Sequence, residues 1–140
     1  MKRMAATALA ILALTTPSHA EVPAALVCSL HGAVAAVLKP DGTIERKDIN
    51  DTMSLTIAAI DLEKKSAQVI NNADAAPAYA FQSETGLNIM EVTPTRNINL
   101  LTVMLVNQGS SHPAAYSRHI FDPIIGGMVS QYYGACEDRT

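Results

Sequence analysis

The sequence has no tryptophan, two phenylalanines and two cysteines in 140 residues. Two cysteines exclude a disulfide-dense scaffold, and the lack of a CxxC pair removes the usual zinc-ribbon and dithiol signatures. Charged residues make up 16% and hydrophobic ones 49%. That balance excludes a disordered chain, which needs low hydrophobicity and high net charge. Basic clusters are also missing. Arg46-Lys47 and Lys64-Lys65 are isolated pairs with acids nearby, so no Lys/Arg patch exists to offset the phosphates of nucleic acid or anionic lipid. The first apolar run, Met4 to Leu14, falls well short of the roughly 20 residues that span a bilayer.

What the N-terminus does contain is a three-part export pattern. Met1-Lys2-Arg3 carries positive charge, the apolar run follows, and Thr15-Thr16-Pro17 break it. Ser18 and Ala20 put small residues at −3 and −1 of a cleavage site, so residues 1–20 read as a secretory signal peptide. Lipidation at Cys28 is disfavoured by Val27 before it and by the unpaired Cys136 it would leave. Removal of Lys2 and Arg3 takes the ten basic residues to eight against thirteen acidic ones, a formal charge of −5 over residues 21–140. A periplasmic or secreted destination follows, with no stable membrane anchor after cleavage and no nucleic-acid partner. In such an oxidising compartment Cys28 and Cys136 are expected to form one disulfide.

Periodicity over residues 21–140 predicts a single all-β domain. Ala24 to Leu30 reads as a first strand, whereas His31 to Leu38 fits strand or short helix equally well. Lys39-Pro40-Asp41-Gly42 is a turn, and Thr43 to Asp51 a loop or weak edge strand. Met53, Leu55 and Ile57 alternate with polar neighbours, with a bulge expected at Ala58-Ala59 that turns Ile60 inward. Ser66 to Ile70 returns as a hairpin arm, Asn71 to Pro77 is a loop, and Tyr79–Gln82 with Leu87–Val92 forms a second hairpin. Asn97 to Val106 has apolar residues on both faces, which predicts that its centre is covered on both sides. The loop Asn107 to Pro113, a strand Ala114 to Phe121, a turn at Asp122 to Gly127 and a strand Met128 to Tyr133 complete the chain. Seven or eight antiparallel strands in a meander make a small barrel or sandwich. A Cys28–Cys136 bond requires the first and last strands to be neighbours, which favours a closed barrel.

Candidate chemistry is thin. His31, His112 and His119 show no metal-ligand spacing, so no metal or cofactor is implied. Tyr116-Ser117-Arg118-His119 is the most polar strand segment, with Ser117 and His119 on one face and Tyr116 and Arg118 on the other. Strand geometry sets Ser117 and His119 about 6–7 Å apart, beyond direct hydrogen bonding, and no GxSxG elbow accompanies them. Tyr116, Arg118 and His119 are candidate ligand-binding residues, Arg118 through bidentate contacts to a carboxylate or phosphate. Tyr132 and Tyr133 point to opposite faces, one into the core. Tyr116-Ser117-Arg118-His119 and Ser130-Gln131-Tyr132-Tyr133-Gly134-Ala135-Cys136 together resemble the ending of small exported alphaproteobacterial proteins of unassigned activity. That resemblance implies a Gram-negative periplasm and no particular chemistry. The expected function is non-enzymatic binding of a small molecule or an envelope protein. The alternatives are inhibition of an envelope enzyme through the Asn107–Pro113 loop, and a metal-dependent or hydrolytic enzyme using Ser117, Arg118 and His119.

Overall fold

The computed structural model describes residues 21–72, 74–105, 109–124 and 126–139. The expected signal peptide therefore lies outside the described residues. Among the described residues nine strands follow one another: β1 (Leu26–Leu38), β2 (Ile44–Asp48), β3 (Thr52–Asp61), β4 (Ser66–Ile70), β5 (Ala75–Gln82), β6 (Gly86–Val92), β7 (Ile98–Met104), β8 (Ser111–Asp122) and β9 (Gly126–Asp138). All pairings are antiparallel, and β1 pairs with β9 to close the sheet. Eight strands form the barrel. The ninth, β2, extends it on the free side of β1.

β1 explains that arrangement. Its first half, Leu26 to His31, pairs with β3, and its second half, Val34 to Leu38, pairs with β2. β9 runs along the whole opposite side of β1, with a register shift between Gly32 and Val34. The Ala/Val-rich His31–Leu38 stretch is thus strand, because β9 and β2 supply ladders on both sides that an isolated helix turn would lack. β2 is the edge strand. Its exposed charges, tied as Lys39–Glu45–Lys47 at 3.1 and 3.4 Å, suit an edge that must not recruit another chain.

Inward residues stack in layers that register across strands. Cys28 faces Cys136 with Cα atoms 3.9 Å apart, and the two are disulfide-bonded. Above them Leu30, Gly134, Ala114, Val103 and Leu87 form one level, and Gly32, Tyr132, Tyr116, Leu101 and Ile89 the next. Tyr116 and Tyr132 meet edge to face, centroids 6.1 Å apart, the arrangement that ring quadrupoles favour. These side chains fill the barrel, as expected at eight strands. Burial of the leucine, isoleucine and valine side chains, about 1.5–3 kcal/mol each, is the main stabilising contribution.

Several sequence expectations need correction. β5 begins at Ala75 and contains Pro77, against the loop expected over Asn71 to Pro77. β6 reaches only as far as Ala78, so no ladder partner on that side needs the missing N–H. His112 and Pro113 belong to β8, and Cys136 lies inside β9 rather than after it. Val106, the end of the expected Asn97–Val106 strand, and residues 107–108 of the expected Asn107–Pro113 loop lie outside the described residues. The centre of β7 is fully buried on its inner face only: Leu101 and Val103 are buried, whereas Leu100 and Thr102 on the outer face are half-buried. The register shift after Ala58 and a positive φ at Ala59 agree with the expected bulge, with Ile60 packed on the core.

Candidate functional site

One end of the barrel is closed by apolar packing and the disulfide. The other end is open and polar. Its inner wall carries a row that registers strand by strand: Glu91 on β6, Asn99 on β7, Arg118 on β8 and Ser130 on β9. Each continues the inward parity of an apolar set, Glu91 after Leu87 and Ile89, Asn99 before Leu101 and Val103. Neighbouring strands lie about 4.8 Å apart, so Glu91 and Arg118, two strands apart, flank a span of about 10 Å.

Glu91 and Asn99 are both 8% exposed, and Asn99 Nδ2 donates to Glu91 Oε2 at 2.8 Å. That bond fixes the Asn99 amide and supplies one partner to a nearly buried carboxylate. Arg118 is half-buried beside them and makes no salt bridge or side-chain hydrogen bond among the described residues. Ser130 is 2% exposed, and its Oγ has no hydrogen-bond partner among the described residues. Tyr116 forms the floor. Burial pushes its hydroxyl pKa up to about 12, and the negative Glu91 adds to the shift while Arg118 opposes it. The phenol is therefore neutral and able to donate at ordinary pH.

The facing wall is Thr52, Met53, Ser54 and Leu55 of β3 with Asn71 and Asn72 of the β4–β5 loop, and Thr93 closes the side. Together these residues enclose a cleft of about 410 Å³, within the usual size of small-molecule sites, about 300–1,000 Å³. It offers one guanidinium that is unpaired among the described residues, one carboxylate, amide groups, and a phenol against an apolar floor.

The three candidate ligand-binding residues divide between two places. Tyr116 and Arg118 lie together in this mouth. His119 points outward, as does Ser117, and the two bond directly, Ser117 Oγ to His119 Nε2 at 2.9 Å. The expected 6–7 Å separation of this pair is thus corrected: the side chains lean together along the strand. Gln131 Nε2 also donates to Ser117 Oγ at 2.7 Å, so the hydroxyl is an acceptor from Gln131 and its own hydrogen is free for His119. The structure does not bring Arg118 to this pair. The other histidines are elsewhere, His31 exposed on β1 and His112 buried near the disulfide, where Nε2 lies 2.9 Å from Asp138 Oδ1. No group of metal-ligating side chains occurs among the described residues.

Sequence reasoning placed Tyr116 and Arg118 on a common face but missed Glu91, Asn99 and Ser130. The available signal was a polar residue continuing an inward apolar alternation, clearest in Leu87-Asn88-Ile89-Met90-Glu91. No family model, curated protein or solved structure matches the chain.

Proposed function

We propose that this protein is an exported, non-enzymatic binding domain whose open barrel mouth takes a small polar molecule bearing an anionic group. The observation that carries this reading is Arg118, a guanidinium held inside the mouth with no carboxylate paired to it among the described residues. A planar cation in a half-buried site is suited to bidentate contact with a carboxylate or phosphate. Asn71, Asn72, Thr93 and Tyr116 line the same cleft and offer uncharged polar contacts. Glu91 repels a second anionic group and favours a ligand with a donor on its far side. Export rests on the N-terminal pattern, and the Cys28–Cys136 disulfide accords with an oxidising compartment.

The enzymatic alternative has less support, since Ser117 and His119 occupy the outer face while Arg118 faces inward. The test is calorimetric titration of the exported protein with acetate, succinate, citrate and glutamine. At least one should bind one-to-one, and Arg118→Gln should weaken it tenfold or more without loss of folding. If none binds, and native mass spectrometry of protein from its own envelope finds no retained small molecule, the reading fails.

A further inference from the structure

Beyond the barrel body, β8, β9, β1 and β2 continue as a four-stranded extension. Its outer face carries two registered rows. Phe121, Gly127, Leu38 and Ile44 form one, and Ile98, His119, Val129 and Ala36 the other. Between them runs a groove of about 460 Å³. Its apolar walls are unusually open to water for this protein: Phe121 is 71% and Ile44 73% exposed, with Ile98, Leu38 and Val129 also exposed. Scattered apolar side chains on a surface need no explanation, but a contiguous concave set does.

Charge sorts the possible occupants. No carboxylate lines the groove among the described residues, although the chain as a whole is acidic. The ionisable residues among the described ones that line it are Arg96 and His119. Arg96 sits at the β6–β7 turn with a positive φ of 63°, its amide donating to Thr93 O at 2.8 Å. Its guanidinium makes no salt bridge among the described residues, and Glu91 of the preceding strand is turned inward. With Ser117 Oγ taken up by Nε2, the other ring nitrogen of His119 is left to donate at the same end of the groove. The volume lies within the usual range of small-molecule sites, about 300–1,000 Å³.

We infer that this outer groove is a second binding site, for a single-chain amphiphile with an anionic head. The alkyl chain lies along Val129, Ile98, Leu38 and Phe121, and the carboxylate meets Arg96 and His119. This site is independent of the barrel mouth, because the two lie on opposite faces of β8.

The probe is dodecanoate below its micellar concentration, titrated into the exported protein, with dodecanol and dodecyltrimethylammonium as matched uncharged and cationic chains. Dodecanoate should bind one-to-one and at least tenfold more tightly than either. Arg96→Asn, which keeps a residue tolerant of positive φ, should weaken dodecanoate about tenfold, and Val129→Asp should abolish binding. Arg118→Gln should leave it unchanged, which separates this site from the mouth. The inference is overturned if dodecanoate does not bind, if the three chains bind alike, or if Val129→Asp has no effect on a folded protein. It is also overturned if light scattering shows a dimer that Val129→Asp dissociates, or if the protein binds phosphatidylglycerol vesicles but not free dodecanoate.

Discussion

Tyr116 shows how a single residue couples the core to the mouth. Its ring packs on Tyr132 and its hydroxyl faces the cleft, in the field of Glu91. A hydroxyl whose pKa is raised from 10.0 to about 12 on folding holds its proton more tightly in the native state than in the unfolded chain. The stability linked to that proton is fully present below pH 10 and is lost as pH rises towards 12. Two pKa units correspond to about 2–3 kcal/mol at most, reduced by whatever water reaches the mouth. Urea unfolding between pH 9 and 12 should show this decline in the native protein and a shallower one in Tyr116→Phe, which has no proton to lose. Parallel curves would mean that Tyr116 ionises as freely as in solution. Alternation along β8 was enough to put Tyr116 and Arg118 on one face and Ser117 and His119 on the other. It could not show that Ser117 and His119 touch, since side-chain lean is set by rotamer and by Gln131 on the next strand. Nor could it bring Glu91 and Asn99 to Arg118, which takes cross-strand register that no local pattern contains.

At the scale of elements, β1 and β9 hold the barrel shut, and their close approach depends on small residues. Gly134 faces Leu30 across this pair, and a Cβ there would collide with the backbone carbonyl of Ser29. Backbone cannot step aside as a flexible side chain can. Gly134→Ala should therefore destabilise by about 1–3 kcal/mol, the usual range for overpacking, lowering the urea midpoint. Gly127→Ala is the control. Its added Cβ would find nothing nearer than 3.7 Å, so the midpoint should hold or rise slightly as chain entropy in the unfolded state falls. Equal effects would show that generic strand propensity, not contact with β1, sets the outcome. β1 is also where the sequence was least legible. Gly32-Ala33 lies at a bulge in an apolar run, and runs of that length fit helix and strand alike. Ladders to β2 and to β9, the latter about 90 to 110 residues away in the chain, decide the matter. The hairpin β3–β4 was readable for the opposite reason: its alternation, charged turn and Ala59 bulge are all local.

Over the whole molecule, two devices do the same job of joining the chain ends. The β1–β9 ladder does so without covalent bonds, and the disulfide does so across a separation of 108 residues. Two cysteines near opposite ends of a meander were the most informative feature of the sequence, because a bond between them brings the terminal strands together. That constraint leaves barrel and sandwich both possible. The ladder from Leu26 to Leu38 decides for the barrel, and its extent predicts what the covalent bond contributes. Since the ladder also closes the sheet, a protein lacking both cysteines has its native pairing intact and loses mainly the restriction on the unfolded chain. The chain-entropy relation puts that loss at about 4–5 kcal/mol, an upper figure where the unfolded state keeps residual structure. Against a domain stability of about 5–15 kcal/mol, the barrel should survive. Cys28→Ala with Cys136→Ala should thus keep the native circular dichroism and the one-to-one dodecanoate stoichiometry, while the urea midpoint falls sharply. The single variants should fall further than the double, since each leaves one free thiol able to form intermolecular bonds. If the double variant is unfolded in dilute buffer, the ladder is too weak to close the barrel alone, and the disulfide is a condition of the fold rather than a reinforcement of it.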